Sequence, residues 1–153
     1  MPVAQETVRS DAEIAELVQA FESCTLPRAE WKHAAHLTVA LWYVRCLPRA
    51  QATDRLRQGI QRYNAVKGNG LAYHETITLA WIAVVARFLA DCDFGQSQAA
   101  LTFGLLERCG DKLYLQRFYS RAVLMSEEAR RAWVPPDLQP LEADSFLAET
   151  PKQ

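Results

Sequence analysis

The sequence predicts an all-α protein: a single-domain helical bundle of about five to seven helices, followed by an extended, proline-rich C-terminal segment. Three observations carry this expectation. Apolar residues recur at helical spacing, most clearly Ile14, Leu17, Val18 and Phe21 at i, i+3, i+4 and i+7. Capping residues open the periodic stretches, and Pro or Gly closes them. No internal repeat, low-complexity tract or long linker divides the 153 residues, which is the usual length of one domain. The whole chain, 1–153, is therefore expected to be one helical domain, with a core from about residue 10 to residue 142.

The elements follow in order. Ser10 with Glu13 forms a capping box for a first helix that ends near Cys24, before the break Thr25-Leu26-Pro27. A second helix runs from about His33 to Cys46 and is stopped by Pro48. Leu37, Val39, Leu41, Trp42, Tyr43 and Val44 cover more than one of its faces, which predicts a central position. The third, about Ala50 to Val66, is amphipathic, with Leu56, Ile60 and Tyr63 on one side and Arg55, Arg57, Gln58, Gln61 and Arg62 on the other. Gly68-Asn69-Gly70 breaks the chain. A fourth helix starts near His74 or Glu75 and reaches about Ala90. It is apolar nearly all round, and 16 unbroken residues favour a buried helix over a strand despite its β-branched content. Ser97 caps a fifth helix that ends at Gly110 as its C′ residue. Asp111 is expected to cap a short sixth helix carrying Leu113, Tyr114 and Phe118, with Arg117 and Arg121 on the Tyr114 face. Ser126 starts a last short helix. Pro135, Pro136 and Pro140 force an extended tail that Leu138, Leu141 and Phe146 pin to the body.

Composition narrows the function classes. Seventeen Lys and Arg against eighteen Asp and Glu leave a formal charge of −1, too little positive field for non-specific nucleic-acid binding. The longest apolar stretch, Leu79 to Leu89, is interrupted by Arg87 and too short to cross a bilayer. The polar start, Met1 to Arg9, has no signal-peptide hydrophobic region, so a cytoplasmic location is expected. Cys24, Cys46, Cys92 and Cys109 lie far apart with no C-x-x-C pair and are expected to be reduced and semi-buried. No P-loop, G-x-G-x-x-G or G-x-S-x-G occurs.

The chemistry-bearing candidates are the three histidines. His33 and His36, three apart with alanines between them, share one face if the segment is helical. His74 opens the other greasy helix, beside Tyr73 and Glu75. Three neutral imidazoles suffice for a divalent zinc or iron site with open positions. His33, His36 and His74 are thus candidate metal ligands. Glu75 diverges from His74 by about 100° on a helix, so it suits a catalytic acid/base role better than a shared ligand position. Tyr73, Thr78, Trp81 and Asn64 are candidate pocket residues. The spacing lacks the embedded glutamate of H-E-x-x-H, no His-Asp pair is present, and the single E-x-x-H string, Glu30 to His33, falls short of the two that a carboxylate-bridged di-iron bundle needs.

Several strings together look familiar. They are Trp31-x-His33-x-x-His36-Leu37, Tyr73-His74-Glu75-Thr76-x-Thr78-x-x-Trp81, Tyr119-Ser120 with Ser126-x-Glu128-Ala129-Arg130, and Pro136-Asp137-Leu138. They resemble a family of small bacterial proteins with no assigned activity, over about residues 20 to 142. That resemblance implies that the strings act as a unit, and it supplies no reaction. Three readings stay open. The first is a small metal-dependent enzyme with a three-histidine site. The second is a metal-free binding protein or enzyme whose His/Glu pocket takes a small-molecule ligand and shifts a histidine pKa. The third is a helical interaction or scaffold module, including a homo-oligomer.

Overall fold

The most apolar segments of the sequence become the innermost helices. The computed structural model describes residues 9–68, 73–93 and 95–141. Seven α-helices occur there: α1 (Asp11–Glu22), α2 (His33–Cys46), α3 (Arg49–Lys67), α4 (Glu75–Ala90), α5 (Gln98–Cys109), α6 (Arg121–Leu124) and α7 (Glu127–Arg131). Two 3-10 turns, Arg28–Glu30 and Tyr114–Arg117, complete the described elements, and no strand is present among them. The all-α helical bundle stands as expected. Helix α2 packs against α1, α3, α4 and α5, which makes it the axis of the bundle. Its Leu37, Val39 and Leu41 are almost fully enclosed. Helix α4 is equally deep, with Ala80, Ile82, Ala83 and Val85 all buried. None of the described helices is long and apolar enough to cross a membrane.

Local chemistry explains the boundaries. The Ser10–Glu13 capping box forms in both directions. Leu47, which precedes Pro48, sits in the extended region at φ −130°, ψ 155° and so ends α2. Cys24 closes α1 in the left-handed region at φ 62°, unusual for a residue with a Cβ. Its amide donates to the Phe21 carbonyl (3.1 Å) and the Thr25 amide to the Ala20 carbonyl (2.9 Å), a Schellman closure in which glycine is the usual occupant. This turn delivers Leu26, whose carbonyl accepts from the buried Tyr63 hydroxyl at 2.7 Å.

Several expectations need correction. Gly110 is not left-handed. Its φ is −74°, and an added Cβ would meet the Leu106 carbonyl oxygen at 2.3 Å, so glycine is required by crowding against the last turn of α5. The single sixth helix does not form: Tyr114–Arg117 is a 3-10 turn, and Ser120 caps the separate α6 through the Val123 amide. Arg117 lies over the Tyr114 ring at 5.0 Å, while Arg121 belongs to α6, so the shared face does not exist. In the tail, Leu141 is buried but the Leu138 side chain is exposed; the anchor at Leu138 is its amide, which donates to the Phe118 carbonyl at 2.9 Å. Phe146 lies outside the described residues. None of the four cysteines is in a disulfide; Cys46 is exposed, against the expectation of partial burial.

One contact fixes how closely α1 and α3 approach. A Cβ at Gly59 would stand 2.7 Å from a ring carbon of Phe21. Phe21 has no room to retreat, because it is fully buried and stacked on Trp31 at 4.5 Å. Substituting alanine gains helix propensity of about 1 kcal/mol but forces an overlap that costs about 1–3 kcal/mol, so the overlap should win. Gly59→Ala is expected to lower the urea midpoint of unfolding, while Gln58→Ala on the exposed side leaves it nearly unchanged.

Candidate functional site

A cavity of about 320 Å³ opens beside the first turns of α2. His33, His36, Leu37 and Ala40 of α2 form one wall, and Leu56 and Ile60 of α3 a second. Ile77, Thr78 and Trp81 of α4 form a third. The segment 111–125 closes the fourth side through Lys112, Leu115, Gln116 and Leu124, with Leu113 and Met125 at the rim. Those last two side chains are 55% and 51% exposed, and Lys112 and Gln116 are exposed beside them.

The structure brings His33 and His36 together as their spacing predicted. Both line the cavity, one turn apart at the start of α2. The Trp31 ring lies against His36, with centroids 4.0 Å apart, and Trp81 meets His33 edge-on at 5.1 Å. The Nε2 atom of each imidazole is buried without a hydrogen-bond partner among the described residues. Burial and the neighbouring His33 push the pKa of His36 down to about 4. Burial and, to a lesser degree, Lys112 lower that of His33, against an opposing pull from Asp111. Both rings are therefore held toward the neutral form at pH 7.

His74 is placed elsewhere. It is the N-cap of α4, and its Nδ1 accepts from the Ile77 amide at 3.1 Å. Its Nε2 lies 2.7 Å from the Leu124 carbonyl, to which it donates when Nδ1 is the acceptor. Both ring nitrogens are thus in use, and no lone pair remains for a metal. Among the described residues no group of three or more His, Cys, Asp or Glu side chains is gathered for a metal ion. The three-histidine set does not meet as one ligand sphere in this arrangement.

Glu75 is also committed. Arg57 grips its two carboxylate oxygens at 3.1 and 2.8 Å, and the Tyr73 hydroxyl donates to it. These bonds hold its pKa below the usual carboxylate value. It does not line the cavity, and an ion-paired carboxylate is a weak base. Tyr73 likewise serves the clasp, its carbonyl accepting from Arg130 at 3.2 Å. Asn64 is buried on α3 away from the cavity wall. Of the four candidate pocket residues, Thr78 and Trp81 face the cavity, and the Thr78 hydroxyl is spent on the His74 carbonyl at 2.8 Å.

The wall formed by segment 111–125 escaped the sequence reading. The polar pair Asp111-Lys112 between Gly110 and Leu113 was its one local signal. Its placement depends on the His74–Leu124 bond across 50 residues, which no local pattern records. No family model matches this chain, and neither does any curated protein or solved structure.

Two outcomes follow from this geometry. His74→Ala removes a cap and strands the Leu124 carbonyl, a loss of about 2–4 kcal/mol by the usual costs of each. His74→Asn retains the cap and is expected to recover part of that loss in urea unfolding. The second concerns pH. The folded pKa of His36 lies below the value of about 6.5 for an unfolded imidazole, so between those two values the unfolded state binds more protons. Stability is then fully present above about pH 6.5 and falls as pH drops toward 4, by on the order of 3 kcal/mol from this residue. In His36→Gln, which has no such titration, the difference in unfolding free energy between pH 7 and pH 4.5 should shrink.

Proposed function

We propose that this chain is a small-molecule binding protein whose ligand occupies the cavity at the start of α2. The ligand has a mostly apolar body and a hydrogen-bonding group that meets His33 and His36. One observation carries the reading: two imidazole Nε2 atoms without partners stand in the wall of a cavity otherwise lined mainly by apolar side chains. A buried polar group left unpaired costs about 1–3 kcal/mol, and an occupant that pairs it recovers that cost. The volume falls at the small end of ligand sites, and convergent polar groups in an apolar cleft are their usual form. Neutral imidazole both donates and accepts, so it suits a hydroxyl, carbonyl or carboxyl group.

The alternatives draw less support. A zinc or iron centre on all three histidines would have to displace at least the Ile77 amide from His74, and a part for Glu75 in it would have to free that carboxylate from Arg57. A pure scaffold leaves the cavity and its unpaired nitrogens without a purpose. Four cysteines outside any disulfide suit a reducing, cytoplasmic setting.

The test uses 4-propylphenol, a small apolar ring with one hydroxyl, followed in ¹H–¹⁵N spectra. Saturable shifts are expected at the Trp81 indole and the first turns of α2. Ile60→Trp, which fills the cavity from α3, should abolish them without unfolding the chain. His36→Leu should weaken binding about tenfold, the equivalent of one good hydrogen bond. Shifts scattered over the surface, or equal binding by Ile60→Trp, would sink the reading.

A further inference from the structure

The cavity reading leaves the ligand's polar group open between neutral and charged forms. Three features at its His33 end bear on the choice. Lys112 is the one permanently charged side chain among the described cavity-lining residues. It stands close enough to His33 to act on that ring electrostatically. Asp111, whose opposing effect on His33 is the larger of the two, does not line the cavity, and its Oδ1 accepts from the Leu113 amide at 2.9 Å. Helix α2 begins at His33 with no side-chain cap and no acidic residue in its first turn, so no carboxylate of its own offsets the positive end of its dipole. Gln116 adds an amide to the same wall. Elsewhere in the lining, Leu56, Ile60, Ile77 and Leu124 offer only hydrocarbon.

We propose that the ligand is the monoanion of an apolar carboxylic acid, its hydrocarbon along Leu56, Ile60, Ile77 and Leu124 and its carboxylate toward Lys112 and the imidazoles of His33 and His36. This rests on the cavity reading above and deepens it. One lysine balances a single negative charge, and the two neutral rings add hydrogen-bonding nitrogens. A phosphate monoester, with close to two charges, is ordinarily met by several cationic or backbone donors, and this wall holds one cation. A carboxylate beside His33 favours the imidazolium, so binding near neutral pH draws a proton from the buffer onto that ring.

Titration calorimetry on the full chain at pH 7 tests this, with 4-phenylbutyrate and its neutral counterpart 4-phenylbutan-1-ol. The acid is expected to bind about five- to tenfold more tightly than the alcohol, as a partly screened charge pair supplies. That preference should vanish in Lys112→Met, a change at an exposed position. Paired runs in phosphate and Tris should show net proton uptake with the acid, absent in His33→Gln. Equal or tighter binding of the alcohol overturns the carboxylate proposal and leaves the cavity reading standing. An acid preference that survives in Lys112→Met also overturns it. Failure of both probes to bind the unmodified chain removes the cavity reading and this one together.

Discussion

The bond from His74 to the Leu124 carbonyl ties the two ends of the site's architecture together. Helix α4 needs a cap, and the His74 ring supplies it through Nδ1. That engagement leaves the opposite nitrogen as a donor, and the donor reaches the end of α6. Neighbouring bonds extend the same clasp. Thr76 donates to the Ala132 carbonyl at 2.7 Å and accepts from the Val134 amide at 3.1 Å. Tyr119 donates to the Val134 carbonyl at 2.6 Å. Glu75 fastens the start of α4 to α3 through Arg57. Short helices such as α6 and α7 have little stability of their own, so these tertiary bonds hold them. Leu124 is also a cavity wall, and the clasp therefore sets the cavity's shape.

A line of aromatic contacts holds the other side. Gly59 admits Phe21, Phe21 stacks on Trp31, and Trp31 lies against His36. Tyr63 flanks both Phe21 and Trp31. The effect on His36 is chemical as well as steric. Enclosing the ring by hydrocarbon removes the water that would stabilise its charged form, so it is held neutral and its Nε2 is left for a ligand to meet.

Much of the fold was legible because it is locally encoded. The α2 boundaries follow from Pro48 and the apolar run, and the Ser10 and Ser97 caps mark their helices directly. Segment 111–125 was not, since four-residue elements carry no periodicity and are positioned by distant partners. The same division runs through the site. His33 and His36 converge because helix geometry alone puts i and i+3 on one face. His74, Glu75 and Tyr73 read as chemistry because polar residues at the head of a greasy helix are unusual. Their partners, Leu124 and Arg57, are what make them a clasp, and pairing at those separations is invisible along the chain.

The most direct test of this account is long-range ¹H–¹⁵N NMR of the three imidazoles across pH 4 to 8, which reads tautomer and protonation ring by ring. The account predicts His74 as the Nε2–H tautomer, and His36 neutral until close to pH 4. A His36 that titrates near the ordinary imidazole value of about 6.5, or a His74 protonated on Nδ1 alone, would contradict it.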